Sequence, residues 1–353
     1  MSIQENISRI FSPELLSQVK EFIDTHSRFV VTTHMSPDGD AIGSTVAMCR
    51  YLRSKSKQAT LVFNDRPGYN LSFIKGIDDC LVFERNSQEP EKCQHDAAVN
   101  AISEADAIVC LDYNALYRLG DLADEIRKSQ APRLLIDHHL DPVVEEFSVV
   151  VSEPSLSAAC EVEYRLILEL GDDNLVTREI AEPLYCGMMT DTGQFVFNSE
   201  RKDVYLIVAR LLETGFAKEE LHRQFALELE RRVRLKGYCL YHKMVILPEH
   251  QAAYISLSKP ELKRFNHQKG DSEGFVNAPL DIKGVKVAAF FREEKNFIKV
   301  SLRSKGDYPV NIIAEKFFNG GGHKNASGGE FQGSLQKAEQ LFVKALPLFD
   351  QYL

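Results

Sequence analysis

The sequence predicts an α/β protein in two parts: a doubly wound parallel sheet, then a smaller α/β domain, joined by a helical linker. Three observations carry this. The 353 residues exceed what one hydrophobic core organises, since domains hold roughly 100–200 residues. Through the first half, short β-prone runs alternate with longer helix-compatible segments, the pattern of a parallel sheet covered on both faces. A charged helical stretch then precedes a second set of strands.

In chain order, residues 29–33, 59–63, 107–111 and 133–136 are the β-prone runs. From Ser155 the period lengthens: Leu156, Ala159, Val162, Leu166 and Leu170 recur at helical spacing until Gly171 supplies a stop. Further helices are expected near 177–189 and 200–214. Leu221, Phe225, Leu229 and Val233 fall at near-helical intervals in a strongly charged stretch, which reads as one connecting helix over 217–243. After Pro248 the period shortens again, giving strands near 252–257, 286–291 and 297–302 and helices near 309–318 and 334–350. The domain boundaries expected are 1–216, 217–243 and 244–353.

Composition narrows the function classes. Hydrophobic residues at 44% and charged residues at 26% belong to an ordinary globular chain. The net charge of −9 opposes unspecific adhesion to long duplex nucleic acid or an anionic membrane, although residues 281–305 carry a local balance of +4. The seven cysteines are scattered without a CxxC pair, which argues against a disulfide framework or zinc ribbon and for a reducing, cytoplasmic setting. No apolar run reaches about 18 residues and the N-terminus does not resemble a signal peptide, so membrane insertion and export are not expected.

The chemistry lies just past the strands. His34, Asp112 and Asp137 each follow a presumed strand directly, at the edge where open parallel sheets bind ligands. His34 opens a run that includes Asp38, Gly39 and Asp40; taken alone, that run is also a common turn and helix cap. Asp137 is followed by His138 and His139, and Asp191 closes an apolar helical segment. So many carboxylates in one pocket would repel each other and pay heavy desolvation unless about two divalent cations neutralised them. All-oxygen cages suit magnesium or calcium, whereas mixed imidazole and carboxylate ligands move the preference toward manganese, with iron, cobalt and zinc as alternatives.

These motifs resemble the DHH phosphoesterase family, which takes its name from the triplet present here as Asp137-His138-His139. All four of its blocks occur in order: 34–41, Asp112, the triplet and Asp191. The resemblance implies two metal ions, most often Mn²⁺, with Mg²⁺ or Co²⁺ as substitutes. His34, Asp38 and Asp112 would bind one ion and Asp40, Asp112, His138 and Asp191 the other. His139 would face substrate phosphate, and Asp137 would orient the imidazoles. The glycine-rich stretch containing Gly321, Gly322 and His323, together with Arg303, resembles the DHH-associated C-terminal domain, in which such a loop and arginine hold a nucleotide. By composition alone the same stretch could be a flexible loop or an anion-binding nest. Ser327 stands where many relatives have alanine. The architecture looks like the NrnA-like branch, which implies hydrolysis of RNAs of a few nucleotides and of 3′-phosphoadenosine 5′-phosphate (pAp), and is compatible with a homodimer. Hydrolysis of linear or cyclic dinucleotides in signalling, hydrolysis of polyphosphate, and a non-catalytic nucleotide-binding role are the alternatives.

Overall fold

A computed structural model describes residues 3–84, 94–268 and 270–352, leaving Cys93 outside the described residues. The six cysteines within them are buried free thiols. The chain divides into two compact units, Met1–Leu227 and Glu228–Leu353.

In the first unit, helix α1 (Pro13–Thr25) leads into β1 (Arg28–Thr33), and α2 (Gly39–Ser54) into β2 (Gln58–Phe63) and the short β3 (Leu81–Val82). Next come α3 (His95–Glu104), β4 (Ala107–Leu111), α4 (Leu122–Lys128), β5 (Arg133–Asp137) and β6 (Val149–Ser152). The helices α5 (Ala159–Glu169), α6 (Arg178–Asp191), α7 (Lys202–Leu212) and α8 (Lys218–Ala226) complete it. All strand pairs are parallel, in the order β3-β2-β1-β4-β5-β6. Every residue of β4 is buried, as expected of a central strand covered on both faces. The strand order reverses between β1 and β4, which opens a crevice beyond their carboxyl ends. His34 and Asp112 lie at those two adjacent ends.

The stretch 217–243 is not one helix. Leu227 and Leu229 take extended backbone angles, separating α8 from α9 (Glu230–Tyr238), and Cys239–Lys243 continues as a π-turn. Different cores claim the two pieces: Leu221 packs into the first unit's core, Leu235 and Cys239 into one of the second's. Leu229 and Val233, read as part of one apolar stripe, are exposed.

The second unit carries β7 (Met244–Leu247), β8 (Ala252–Leu257), α10 (Lys259–Arg264), β9 (Val287–Glu293), β10 (Ile298–Ser304), α11 (Val310–Phe317), β11 (Gly321–His323), β12 (Ala326–Phe331) and α12 (Leu335–Ala345). Its sheet runs β11-β12-β10-β9-β8-β7, antiparallel except for β8 beside β9. Val300 and Leu302 pack with residues of α11 and α12 in one core. The glycine-rich stretch is therefore an antiparallel hairpin and not a flexible loop. Gly320 and Gly329 permit it, since a Cβ on Gly320 would overlap the Gly328 carbonyl and one on Gly329 the Phe318 carbonyl.

Candidate metal centre

Five segments bring the candidate ligands of the first unit together. The strands β1, β4 and β5 deliver His34, Asp112 and the Asp137-His138-His139 triplet to the same sheet edge. The two helices deliver the rest. Asp38 caps α2, its Oδ1 accepting from the N–H groups of Asp40 and Ala41 at 3.1 Å each, so the capping reading and the ligand reading both hold for this side chain. Gly39 matters for packing: a Cβ there would overlap Thr190, the residue before Asp191. Bare backbone at Gly39 thus lets the start of α2 meet the end of α6.

Asp40 is 1% exposed and does not depend on a cation alone for partners. Its Oδ2 accepts from the N–H of Ala159 at 2.6 Å and its Oδ1 from that of Cys160 at 3.0 Å, so the first turn of α5 holds the carboxylate in place. Spacing could not reveal this contact, because those donors lie far along the chain.

Asp112 sits at the centre. Its backbone is left-handed, φ 62°, an uncommon state for a residue with a Cβ, and the turn aims its carboxylate across the sheet edge. Oδ2 lies 3.6 Å from His34 Nε2, while Oδ1 lies 3.5 Å from His138 Nε2 and 3.7 Å from His139 Nδ1. The two oxygens thus face different imidazoles. His138 Nε2 also lies 3.8 Å from Asp40 and 3.7 Å from Asp191. These separations exceed hydrogen-bond length. Ligand bonds of about 2.0–2.2 Å place neighbouring ligands about 3.0–3.5 Å apart, so the spacing is near that of a shell around a cation. His34 Nδ1 donates to the Met35 carbonyl at 2.9 Å, which leaves the Nε2 lone pair directed at the cluster.

Cation-sized groups recur. His34, Asp38 and Asp112 form one, Asp40, His138 and Asp191 a second, and Asp112, His138 and His139 a third. Among the described residues, Oδ1 of Asp112 is buried without a hydrogen-bond partner, a cost that a bound cation would remove. Hard oxygens mixed with imidazole nitrogens suit divalent transition metals, so the residues present fit the group.

Electrostatics agree. Burial pushes Asp40 up to about 7, helped by the Asp112 charge and opposed by His138. For Asp112, burial acts upward but is outweighed by its contacts with His138 and His34, which hold it well below the usual carboxylate range. Burial opposes charge on His34, yet its close contact with Asp112 and the charges of Asp38 and Asp112 raise it to about 9.

Asp137, fully buried, accepts from His139 Nδ1 at 2.7 Å, which fixes the orientation of that ring. In the second unit, Arg303 and His323 both flank Ala326 across the antiparallel ladder, so their side chains rise from one face; Gly321 and Gly328 pair alongside on that face. Gly322 pairs with Ser327, one residue out of phase.

Residues 28–188 match the N-terminal domain of the DHH family and residues 251–351 the DHHA1 domain. The chain belongs to the DHH family. It is 38% identical, with a TM-score of 0.91, to the crystal structure of an exopolyphosphatase-related protein from Bacteroides fragilis, covering 98% of this chain and 99% of that one. It is 28% identical over 309 residues to the bifunctional oligoribonuclease and PAP phosphatase NrnA of Bacillus subtilis, covering 87% of this chain and 90% of the relative. The Thermus thermophilus protein of the same name is 29% identical, covering 90% and 88%. This DHH protein is a hydrolytic phosphoesterase of a metal-dependent family. Among the described residues, no helix is long and apolar enough to cross a membrane.

Proposed function

We propose that this enzyme degrades very short oligoribonucleotides from an end to nucleoside monophosphates and removes the 3′-phosphate of pAp, using two divalent cations, Mn²⁺ foremost. The observation that carries the reading is the division of Asp112, whose two carboxylate oxygens face separate imidazoles. His34 and Asp38 would complete one metal position, and Asp40, His138 and Asp191 the other. Once bound, the pair would acidify a water and take up charge developing on the phosphoryl oxygens. The protein's own groups do the placing. The first turn of α5 fixes Asp40, the Met35 carbonyl fixes the tautomer of His34, and Asp137 fixes the ring of His139, which would face substrate phosphate. In the second unit, Arg303 and His323 would hold the nucleotide beside the bare Gly321 and Gly328 backbone, which a phosphate or base can approach closely.

The two relatives named oligoribonuclease and PAP phosphatase support this substrate class. A polyphosphate reading is favoured by the name of the 38% identical relative. Incubation with Mn²⁺ and, in parallel, pApA, pAp, cyclic-di-AMP and polyphosphate separates the readings. The expected products are AMP from pApA and from pAp. Phosphate release from polyphosphate alone would overturn the proposal, and turnover of cyclic-di-AMP alone would assign the enzyme to signalling.

A further inference from the structure

The ligand segments of the metal centre carry exposed apolar side chains that metal binding does not require. Met35 directly follows His34 and Leu140 directly follows His139, and they are 53% and 58% exposed. Beyond Asp191 the chain presents Val196 and Phe197, 70% and 63% exposed. Large apolar side chains scattered singly over a surface are ordinary. Here they follow the ligands of a site built from carboxylates and imidazoles.

The segment after Asp191 is tightly wound. Gly193, Gln194, Phe195 and Asn198 all take left-handed backbone, with φ of 56°, 62°, 65° and 47°. For the three with a Cβ that state is uncommon, and such strain gathers at ligand clamps and active sites. Thr192 ties the coil down. Its carbonyl accepts from the N–H groups of Val196 at 2.9 Å and Phe197 at 2.8 Å, and its Oγ1 from that of Phe195 at 2.9 Å. The half-buried Phe195 ring packs beside Tyr185, with centroids 5.7 Å apart. Phe197 is treated differently. Its ring lies against the Gly193 backbone, where a Cβ would stand 2.8 Å from Cδ2. The Phe197 backbone is thus bonded to the residue next to Asp191 and its ring touches the second residue past it, yet most of the ring meets solvent.

An aromatic ring held in one place and left uncovered gains little burial for the order imposed on it, unless a second flat group covers it. The centre beside it suits a phosphoryl group, so the occupant follows from what adjoins that group in a substrate. Polyphosphate offers further charge. A nucleotide offers a flat base, joined to its phosphate through one sugar, and every base has a π-face that an aromatic side chain can stack on. We propose that Phe197 is a specificity-determining residue that stacks on a nucleobase flanking the phosphate bound at the metal centre. The inference rests on the nucleotide reading above and deepens it.

The test measures KM and kcat of Mn²⁺-loaded protein for pApA, for pUpU and for two pApA analogues that each lack one base. Phe197→Ala should raise KM for pApA about 5- to 100-fold, the worth of stacking one base. The loss should appear in KM and not in kcat, because stacking binds ground state and transition state alike. It should be smaller for pUpU, whose pyrimidines offer less area to stack. On the analogue that lacks the stacked base, wild type and Phe197→Ala should differ by less than about twofold in KM. Phe197→Tyr should restore pApA, whereas Phe197→Leu, apolar but without a π-face, should not. Retained Mn²⁺ should match wild type in every variant. Equal losses on both analogues, full affinity for pApA in Phe197→Leu, or an altered sedimentation coefficient with KM intact, the mark of a protein interface, would overturn the assignment. Wild-type protein that hydrolyses polyphosphate and not pApA would overturn the function reading; turnover of pApA with an unchanged KM in Phe197→Ala would overturn this inference alone.

Discussion

Glu161 lies in the first turn of α5, the turn whose N–H groups hold Asp40. It is fully buried, and five donors converge on its carboxylate: Ser157 N and Oγ at 2.9 and 2.7 Å, Arg165 Nε at 3.0 Å, and both terminal nitrogens of Arg201 at 3.0 and 2.7 Å. Arg165 is only 1% exposed, and its remaining partners are Asp203 at 3.1 Å and the Ser8 carbonyl at 2.9 Å. Glu161→Gln keeps the volume but withdraws the charge and turns an amide donor toward other donors. Breaking a buried pair costs about 3–5 kcal/mol, and the retained Asp203 contact sets the expected loss at the lower end, about 3 kcal/mol, or roughly a hundredfold more unfolded protein. Urea unfolding at pH 7 measures this directly.

The pH dependence supplies a second check. Burial pushes the Glu161 carboxyl up, but hydrogen bonds from Arg201 and Ser157 and the Arg201 charge hold it below its ordinary value. A depressed carboxylate stabilises the fold above its unfolded value of about 4.5 and loses that contribution as pH falls through the folded one. The gap between wild type and variant should therefore be constant near neutrality and narrow on acidification below about pH 4.5. Because Ser157 immediately precedes the turn that binds Asp40, Glu161→Gln should also weaken Mn²⁺ binding. A loss below about 0.5 kcal/mol, or a gap that ignores acid, would refute the reasoning.

Further expectations concern single sites. Ser327 pairs with Leu302 and faces the core, where its Oγ has no hydrogen-bond partner among the described residues; Ser327→Ala should stabilise by about 1 kcal/mol and leave kcat/KM unchanged, as thermal unfolding and turnover would show. Arg303→Ala should raise KM for nucleotides at least tenfold while metal content stays at the wild-type level; loss of metal would show that Arg303 acts elsewhere. Asp40, pushed up to about 7, and His34, raised to about 9, must both shed protons to bind a cation, so Mn²⁺ affinity should increase with pH between 6 and 9. Calorimetry in buffers of different ionisation enthalpy should then detect proton release, and affinity that falls with pH would contradict these assignments.

Much of the site was legible because a parallel sheet turns sequence position into spatial position. An acid or imidazole directly past an apolar run must lie at one edge, and His34 and Asp112 follow that rule, while Asp137 is the last residue of β5 itself, with His138 and His139 just beyond it. Contacts made by backbone were not legible. Nothing in the run from Ser155 to Cys160 indicates that its N–H groups serve Asp40, and Gly39, read as a turn residue, is required by the approach of Thr190. The break at Leu227 escaped the periodicity, because evenly spaced leucines cannot reveal that Leu221 and Leu235 belong to different cores. The glycine-rich stretch has the composition of a loop; the close approach of Gly320 and Gly329 to neighbouring carbonyls makes it a hairpin.

Metal counting tests the central claim most directly. Purified protein equilibrated with Mn²⁺ and freed of excess should retain two ions per chain by elemental analysis. Asp112→Ala, folded by circular dichroism, should lose turnover together with at least one ion, and His34→Ala should lose one ion. Wild-type protein that turns over phosphate esters while retaining no divalent metal, or an Asp112→Ala variant that keeps both ions and full activity, would contradict a centre built around that carboxylate.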